Sequence, residues 1–170
     1  IQSDEGHVII RNAEIFDFEC MTKIYNKMID EKIASLNTEH VSVEESRVWS
    51  KKGIILVALV EDNVIGFIRS FPYSDRNCYA GISQFSVYVD KEYRRSGIGN
   101  LLLSDFLTKM DNTQCWKILS RVFPENMASR NLLSKHGFRE VGVYEKHGKV
   151  DGKWVDAVIV ERLLSTASKN

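Results

Sequence analysis

Arg94, Arg95, Ser96, Gly97, Ile98 and Gly99 form the stretch of this 170-residue chain whose residue types and spacing could do chemistry. Two glycines one residue apart let the backbone turn tightly and lie close to a ligand. Before them, Phe85, Val87 and Val89 alternate with Ser86 and Tyr88, which predicts a strand over 84–89. After them, Leu103, Phe106, Leu107 and Met110 recur at three and four, which predicts a helix over 98–110. A strand, turn and helix in that order aim the unpaired N–H groups of the first helical turn, up to Asn100, back at the turn, where the helix dipole is positive. With two arginines alongside, the result is an anion site suited to a pyrophosphate. Two familiar phosphate loops are excluded. There is no Gly-x-x-x-x-Gly-Lys-Ser/Thr, and Leu102 stands where Gly-x-Gly-x-x-Gly needs its third glycine. From the glycines alone, plain β–α punctuation is an equal reading.

A second group lies downstream. Pro124 and Glu125 suit the start of a helix, Gly137 its end, and Phe138 the next strand. Asn126 and Ser129, three apart, share one face of that helix. By themselves they read either as ligand contacts or as a helix cap with a solvent-facing partner.

The elements that must position these groups follow from periodicity and turn signals. Strands are predicted at 8–11, 54–60, 64–71, 84–89, 116–123, 138–144 and 154–162. Helices are predicted at 16–32, from Val43 with Ser42 as N-cap, at 98–110 and at 125–136. Residues 54–60 are almost wholly apolar, which predicts a central strand covered on both faces. Asp62-Asn63 is the expected hairpin turn, and Gly148 to Gly152 joins the last two strands. The order β-α-α-β-β-β-α-β-α-β-β mixes hairpins with β-α-β units. It predicts an α/β architecture with one mixed sheet of about seven strands and helices on both faces. One domain over 8–164 is expected, with 1–7 and 165–170 as flexible tails.

Composition narrows the function classes. Lys+Arg and Asp+Glu are both 23, so net charge is zero and no global field favours nucleic acid or an anionic membrane. Cys20, Cys78 and Cys115 are odd in number and widely spaced, as expected of reduced cytoplasmic thiols and of neither a disulfide framework nor a metal site. No apolar run approaches a membrane span.

Arg94-x-x-Gly97-x-Gly99 after a strand resembles the Arg/Gln-x-x-Gly-x-Gly/Ala pyrophosphate loop of the GNAT superfamily of acetyl-CoA-dependent N-acyltransferases. Asn126-x-x-Ser129 with Gly137-Phe138 resembles that superfamily's Asn-x-x-Ala/Ser and Gly-Phe segment. The resemblance extends over nearly the whole chain. It implies a fold in which two parallel strands, here 84–89 and 116–123, splay apart to admit acetyl-CoA. The implied coenzyme contacts are Val87, Tyr88, Val89, Arg94 to Asn100, Asn126 and Ser129. Arg76-Asn77-Cys78-Tyr79, Ser86-Val87-Tyr88-Val89 and Gly152-Lys153-Trp154-Val155-Asp156 are similar to the branch acetylating phosphinothricin, methionine sulfoximine and arsinothricin. That branch implies a small amino-acid acceptor held near Leu36, Asn77 and Tyr79, and a homodimer.

Acyl transfer from a thioester to an amine requires an ammonium to lose a proton, and a carbonyl to be polarised by donors such as backbone N–H groups near Val87 to Val89. The superfamily's usual proton acceptor is a Glu; here its position is Gln84, which cannot act as a base near neutral pH. A second position, often Tyr or His, is Leu133. His147 and Glu39 are other candidates for the proton. Two readings follow: an N-acetyltransferase of small amino acids or toxic analogues, or a weakly active or non-catalytic acetyl-CoA-binding protein.

Overall fold

The computed structural model describes residues 7–32 and 37–168. Its elements run β1 (Ile9–Asn12), α1 (Phe18–Glu31), α2 (Val43–Arg47), β2 (Ile55–Val60), β3 (Asn63–Pro72), β4 (Ile82–Val89), α3 (Ile98–Asp111), β5 (Lys117–Val122), α4 (Met127–Lys135), β6 (Arg139–Val150) and β7 (Lys153–Leu163). The strands form one seven-stranded sheet in the order β1-β2-β3-β4-β5-β7-β6. All neighbours are antiparallel except β4 and β5. The architecture is mixed α/β with helices on both faces, as the element order predicts.

Alternation along β4 separates two cores. Phe85 packs with Phe106 of α3 and with Phe138, at ring separations of 5.6 and 5.4 Å. Tyr88 turns to the other face and meets Tyr25 of α1 and Phe67 of β3, at 5.3 and 4.9 Å. Each face of the strand therefore packs into its own core, which fixes its register: a one-residue slip would exchange the two sets. The helices are set locally. Ser42 caps α2 by accepting from the Glu45 N–H, and Glu45 reaches back to Ser42. Gly137 leaves α4 at φ +83°, a conformation that glycine adopts without steric cost.

The structure corrects several expectations. β2 is buried on both faces but lies second from the sheet edge, between β1 and β3. The β2–β3 turn residues are Glu61 and Asp62, with φ of 49° and 64°, and Asn63 opens β3. Left-handed geometry at two successive residues matches the twist of a tight hairpin. The last hairpin turns at Asp151-Gly152, so β6 runs through Val150. Its register shifts between Tyr144 and Gly148, where Lys146 adopts φ 48° and its N–H donates to Asp156 at 2.8 Å. Trp154 is 56% exposed, with the Lys149 ammonium 4.4 Å from its ring centre.

Candidate active site

β4 and β5 pair over only three positions, Ile82 with Lys117, Ser83 with Ile118 and Gln84 with Leu119. The closed end is pinned at Gly81, whose carbonyl accepts from the Trp116 N–H at 2.8 Å. A Cβ at Gly81 would lie 1.9 Å from the Trp116 ring, so only glycine allows this approach. Beyond Gln84 the strands part. The gap is a cleft of about 230 Å³. Gln84, Ser86 and Tyr88 form its β4 wall and Ser120, Arg121 and Val122 its β5 wall, with Phe71 and Asn37 at its rim.

Parting strands leaves backbone groups without a ladder. The first is satisfied internally: the buried Ser120 hydroxyl donates to the Phe85 carbonyl at 2.9 Å. Because the Phe85 backbone faces β5, alternation turns the backbone groups of Val87 and Val89 to the same side. The Val89 carbonyl accepts from Arg94 Nε at 3.1 Å. N–H groups on that side of β4 are donors aimed into the gap.

The chain then enters the turn before α3. Arg95 and Gly97 take φ of 64° and 85°, and the Ser96 hydroxyl donates to the Tyr93 carbonyl. Gly97 is the N-cap of α3 and has no side chain to offer the first turn. The first intrahelical bond runs from the Leu101 N–H to the Gly97 carbonyl. The amides of Ile98, Gly99 and Asn100 precede it and are left as donors at the positive end of the dipole. A Cβ at Gly97 would meet nothing within 4 Å, so the space beside it is open. One at Gly99 would lie 3.5 Å from Leu132 of α4, an ordinary contact.

Side chains around this turn are largely committed to the fold. The Arg94 guanidinium makes two bonds to Glu31, of 2.6 and 3.2 Å, besides its bond to Val89. These bonds tie the loop to α1 and to the end of β4. Asn100 Oδ1 pairs with His136 Nε2 at 2.7 Å, tying α3 to α4. Asn126 Oδ1 caps α4 by accepting from the Ser129 N–H at 3.2 Å. That cap uses the oxygen only, which leaves the Asn126 amide N–H groups as donors.

Gln84 lines the cleft, with its Nε2 3.5 Å from the Pro72 carbonyl. Burial, with the neighbouring Tyr25 adding, pushes the Tyr88 hydroxyl up to about 12, so it is neutral near pH 7. Leu133 is core, only 5% exposed. His147 packs at a tilt against Tyr144, with ring centres 4.8 Å apart, and lines a separate shallow hollow on β6, not the cleft. Glu39 is exposed and is not among the residues lining the cleft. Asn77 and Tyr79 occupy a short 3-10 turn and do not line the cleft, and Tyr79 packs edge-on against Tyr73 at 5.7 Å. Leu36 lies outside the described residues. Ser120 and Arg69 belong to no motif in the sequence. The cue for Arg69 was available: a lone cation at an alternating position between Phe67 and Phe71.

The family model described as "Acetyltransferase (GNAT) family" matches residues 21–138. YwnH of Bacillus subtilis (strain 168), named provisionally for phosphinothricin acetylation, is 31% identical over 161 residues, spanning 92% of this chain and 99% of that protein. Phosphinothricin N-acetyltransferase of Streptomyces coelicolor is 28% identical over 167 residues, spanning 94% and 98%. A solved phosphinothricin acetyltransferase from Sinorhizobium meliloti, in complex with acetyl-CoA, superposes with a TM-score of 0.90 at 24% identity, covering 96% of this chain and 91% of that one.

Proposed function

The chain belongs to the GNAT acetyltransferase family, and from that premise we propose that it moves acetyl from acetyl-CoA to the amino group of a small amino acid or a toxic analogue resembling phosphinothricin. The observation that carries the reading is the parting of β4 from β5 after Gln84, with the uncapped start of α3 following from the same end of β4. Acetyl-CoA supplies an activated thioester, and its pyrophosphate fits the glycine-capped turn, where the space beside Gly97 is open. The amides of Ile98 to Asn100 would hold the phosphates, and the Asn126 amide the pantetheine arm. Backbone N–H groups around Val87 to Val89 would orient and polarise the thioester carbonyl, donors that need no reorganisation as charge develops.

On this reading both substrates occupy the cleft together and the amine attacks directly. Gln84 cannot accept the proton; its amide holds the amine or a water in place, and that water takes the ammonium proton. As the C–N bond forms the C–S bond breaks, the thiolate leaves and takes up a proton from solvent, and positioning supplies much of the barrier reduction. The presence of Gln84 in the cleft and of Leu133 in the core also favours a second reading, a weakly active or non-catalytic acetyl-CoA-binding protein. One assay separates them. Purified protein with acetyl-CoA is offered phosphinothricin, methionine sulfoximine, arsinothricin and ordinary amino acids, and free thiol is followed. Thiol release with at least one acceptor supports transfer. Tight acetyl-CoA binding with no release from any acceptor supports the second reading.

Two further expectations complete the proposal. Val141, Val143, Tyr144 and Trp154 are exposed apolar residues of the β6–β7 hairpin, which fits the face of a homodimer; sedimentation gives the mass. Three free cysteines, two of them exposed, fit a reducing cytoplasmic location.

A further inference from the structure

Arg69 lies on β3, opposite Ile55 of β2 and Ser86 of β4. Its Nε is buried and has no hydrogen-bond partner, and no ion pair among the described residues includes it. Trp49 and Phe71 hold the guanidinium, with ring centres 4.4 and 5.0 Å from its central carbon. An aromatic ring offsets part of the positive charge but accepts none of the N–H bonds at the guanidinium's edge. Arg69 as a whole is half-buried, but an N–H sealed from solvent on a cation with no counter-ion is costly to a fold, and a bound anion would offset that cost.

The surroundings say where that anion enters. Phe67, Arg69 and Phe71 alternate onto one face of β3, opposite Tyr88, Ser86 and Gln84 of β4. Phe71, Ser86 and Gln84 all line the cleft; Arg69 is not itself a lining residue, but it packs on Phe71 and lies opposite Ser86, so an acid reaching it passes between those two. Asn37, also at the cleft, donates to the Tyr25 hydroxyl at 3.0 Å, and among the described residues that line the cleft there is no carboxylate. Gln84 is two residues along β4 from the partner of Arg69, about 7 Å along the strand. The long arginine side chain and an α-amino acid together bridge that span, with the amine at Gln84 and the acid at the guanidinium. Burial lowers the basicity of Arg69 from its ordinary value, opposed by Tyr88 and Tyr25, and the group remains a cation near neutral pH.

We propose that Arg69 is the specificity anchor of the acceptor site, taking the α-carboxylate of the acceptor on its planar fork; this rests on the cleft being the acceptor site of the proposed transfer. A flat monoanion matches one flat monocation between two rings, and two parallel N–H bonds would satisfy the orphaned edge.

The test measures binding separately from turnover. Calorimetry on protein saturated with coenzyme A uses L-phosphinothricin and L-methionine sulfoximine, each against the analogue whose α-carboxyl is a carboxamide. The wild type should favour the acids by about ten- to a hundredfold. Arg69→Met keeps an unbranched stem between Trp49 and Phe71, and should abolish that preference by weakening the acids alone, with coenzyme affinity unchanged. Arg69→Lys keeps the charge without the fork and should retain part of the preference; it carries the test if the Met variant does not fold. Equal weakening of acid and carboxamide, no weakening of either, or no binding of either acid to the wild type overturns the proposal. Binding that depends on Arg69 without thiol release leaves this assignment standing and sinks the transfer reading. Thiol release indifferent to Arg69 does the reverse.

Discussion

Arg94 and Glu31, 63 residues apart, form a two-pronged ion pair with contacts of 2.6 and 3.2 Å, and the same guanidinium holds the Val89 carbonyl. The loop before α3 is thereby tied both to the end of β4 and to the last turn of α1. Basic character in this loop serves its shape first.

Glu31→Gln tests that role. The pair is partly exposed, so its loss should weaken coenzyme binding only about two- to fivefold, measured by calorimetry at fixed salt. A gain in affinity would mean instead that release from Glu31 frees Arg94 to meet the phosphates.

Gly97→Ala separates fold from ligand. The new Cβ meets no atom within 4 Å, but φ of +85° strains any L residue by about 1–2 kcal/mol. Thermal unfolding should show that modest loss. Coenzyme affinity should fall by more, about tenfold or beyond, because on the proposed reading the methyl enters the space the pyrophosphate takes. Normal affinity by calorimetry would move the phosphates elsewhere.

Gln84→Glu places a carboxylate where the cleft carries an amide. If proton removal limits the reaction, turnover should rise by about a hundredfold or more, with a new acidic limb in its pH profile and unchanged coenzyme affinity. A fall in turnover would show that the amide itself holds the acceptor.

Ser120→Ala strips the buried Phe85 carbonyl of its donor at the point where the strands part. The expected cost is about 1–3 kcal/mol in urea unfolding. A variant as stable as the wild type would mean that water enters the cleft and replaces the hydroxyl.

His136 gives the fold a pH dependence. Burial, then the charge of Arg162, lowers its pKa from 6.5. The unfolded chain therefore binds this proton more readily than the folded one, so stability falls as pH drops below about 6.5 toward the lowered value. Above that window the neutral ring, protonated on Nε2, donates to Asn100. Melting temperatures of wild type and His136→Gln at pH 7.5 and pH 5 should show a smaller drop for the variant. Equal drops would assign the effect to other groups.

The sequence by itself determined the element order and most of the punctuation. Alternation along 84–89, the Ser42–Glu45 cap and the stop at Gly137 depend on neighbours a few residues away, and such patterns are written locally. Where two local signals competed, boundaries moved: Asn63 joined β3, and Gly148 stayed inside β6 because the bulge at Lys146 absorbed the irregularity. The loop of Arg94 to Asn100 was likewise legible as a turn into a helix. Tertiary structure alone decided which polar groups there are already spent. Arg94 is held by Glu31 on α1 and Asn100 by His136 at the end of α4, whereas Arg69 faces Trp49 and Phe71 with its Nε unpaired. A side chain's type states what it can bind, but only the packing of distant segments determines whether that capacity is satisfied within the fold or left open for a ligand.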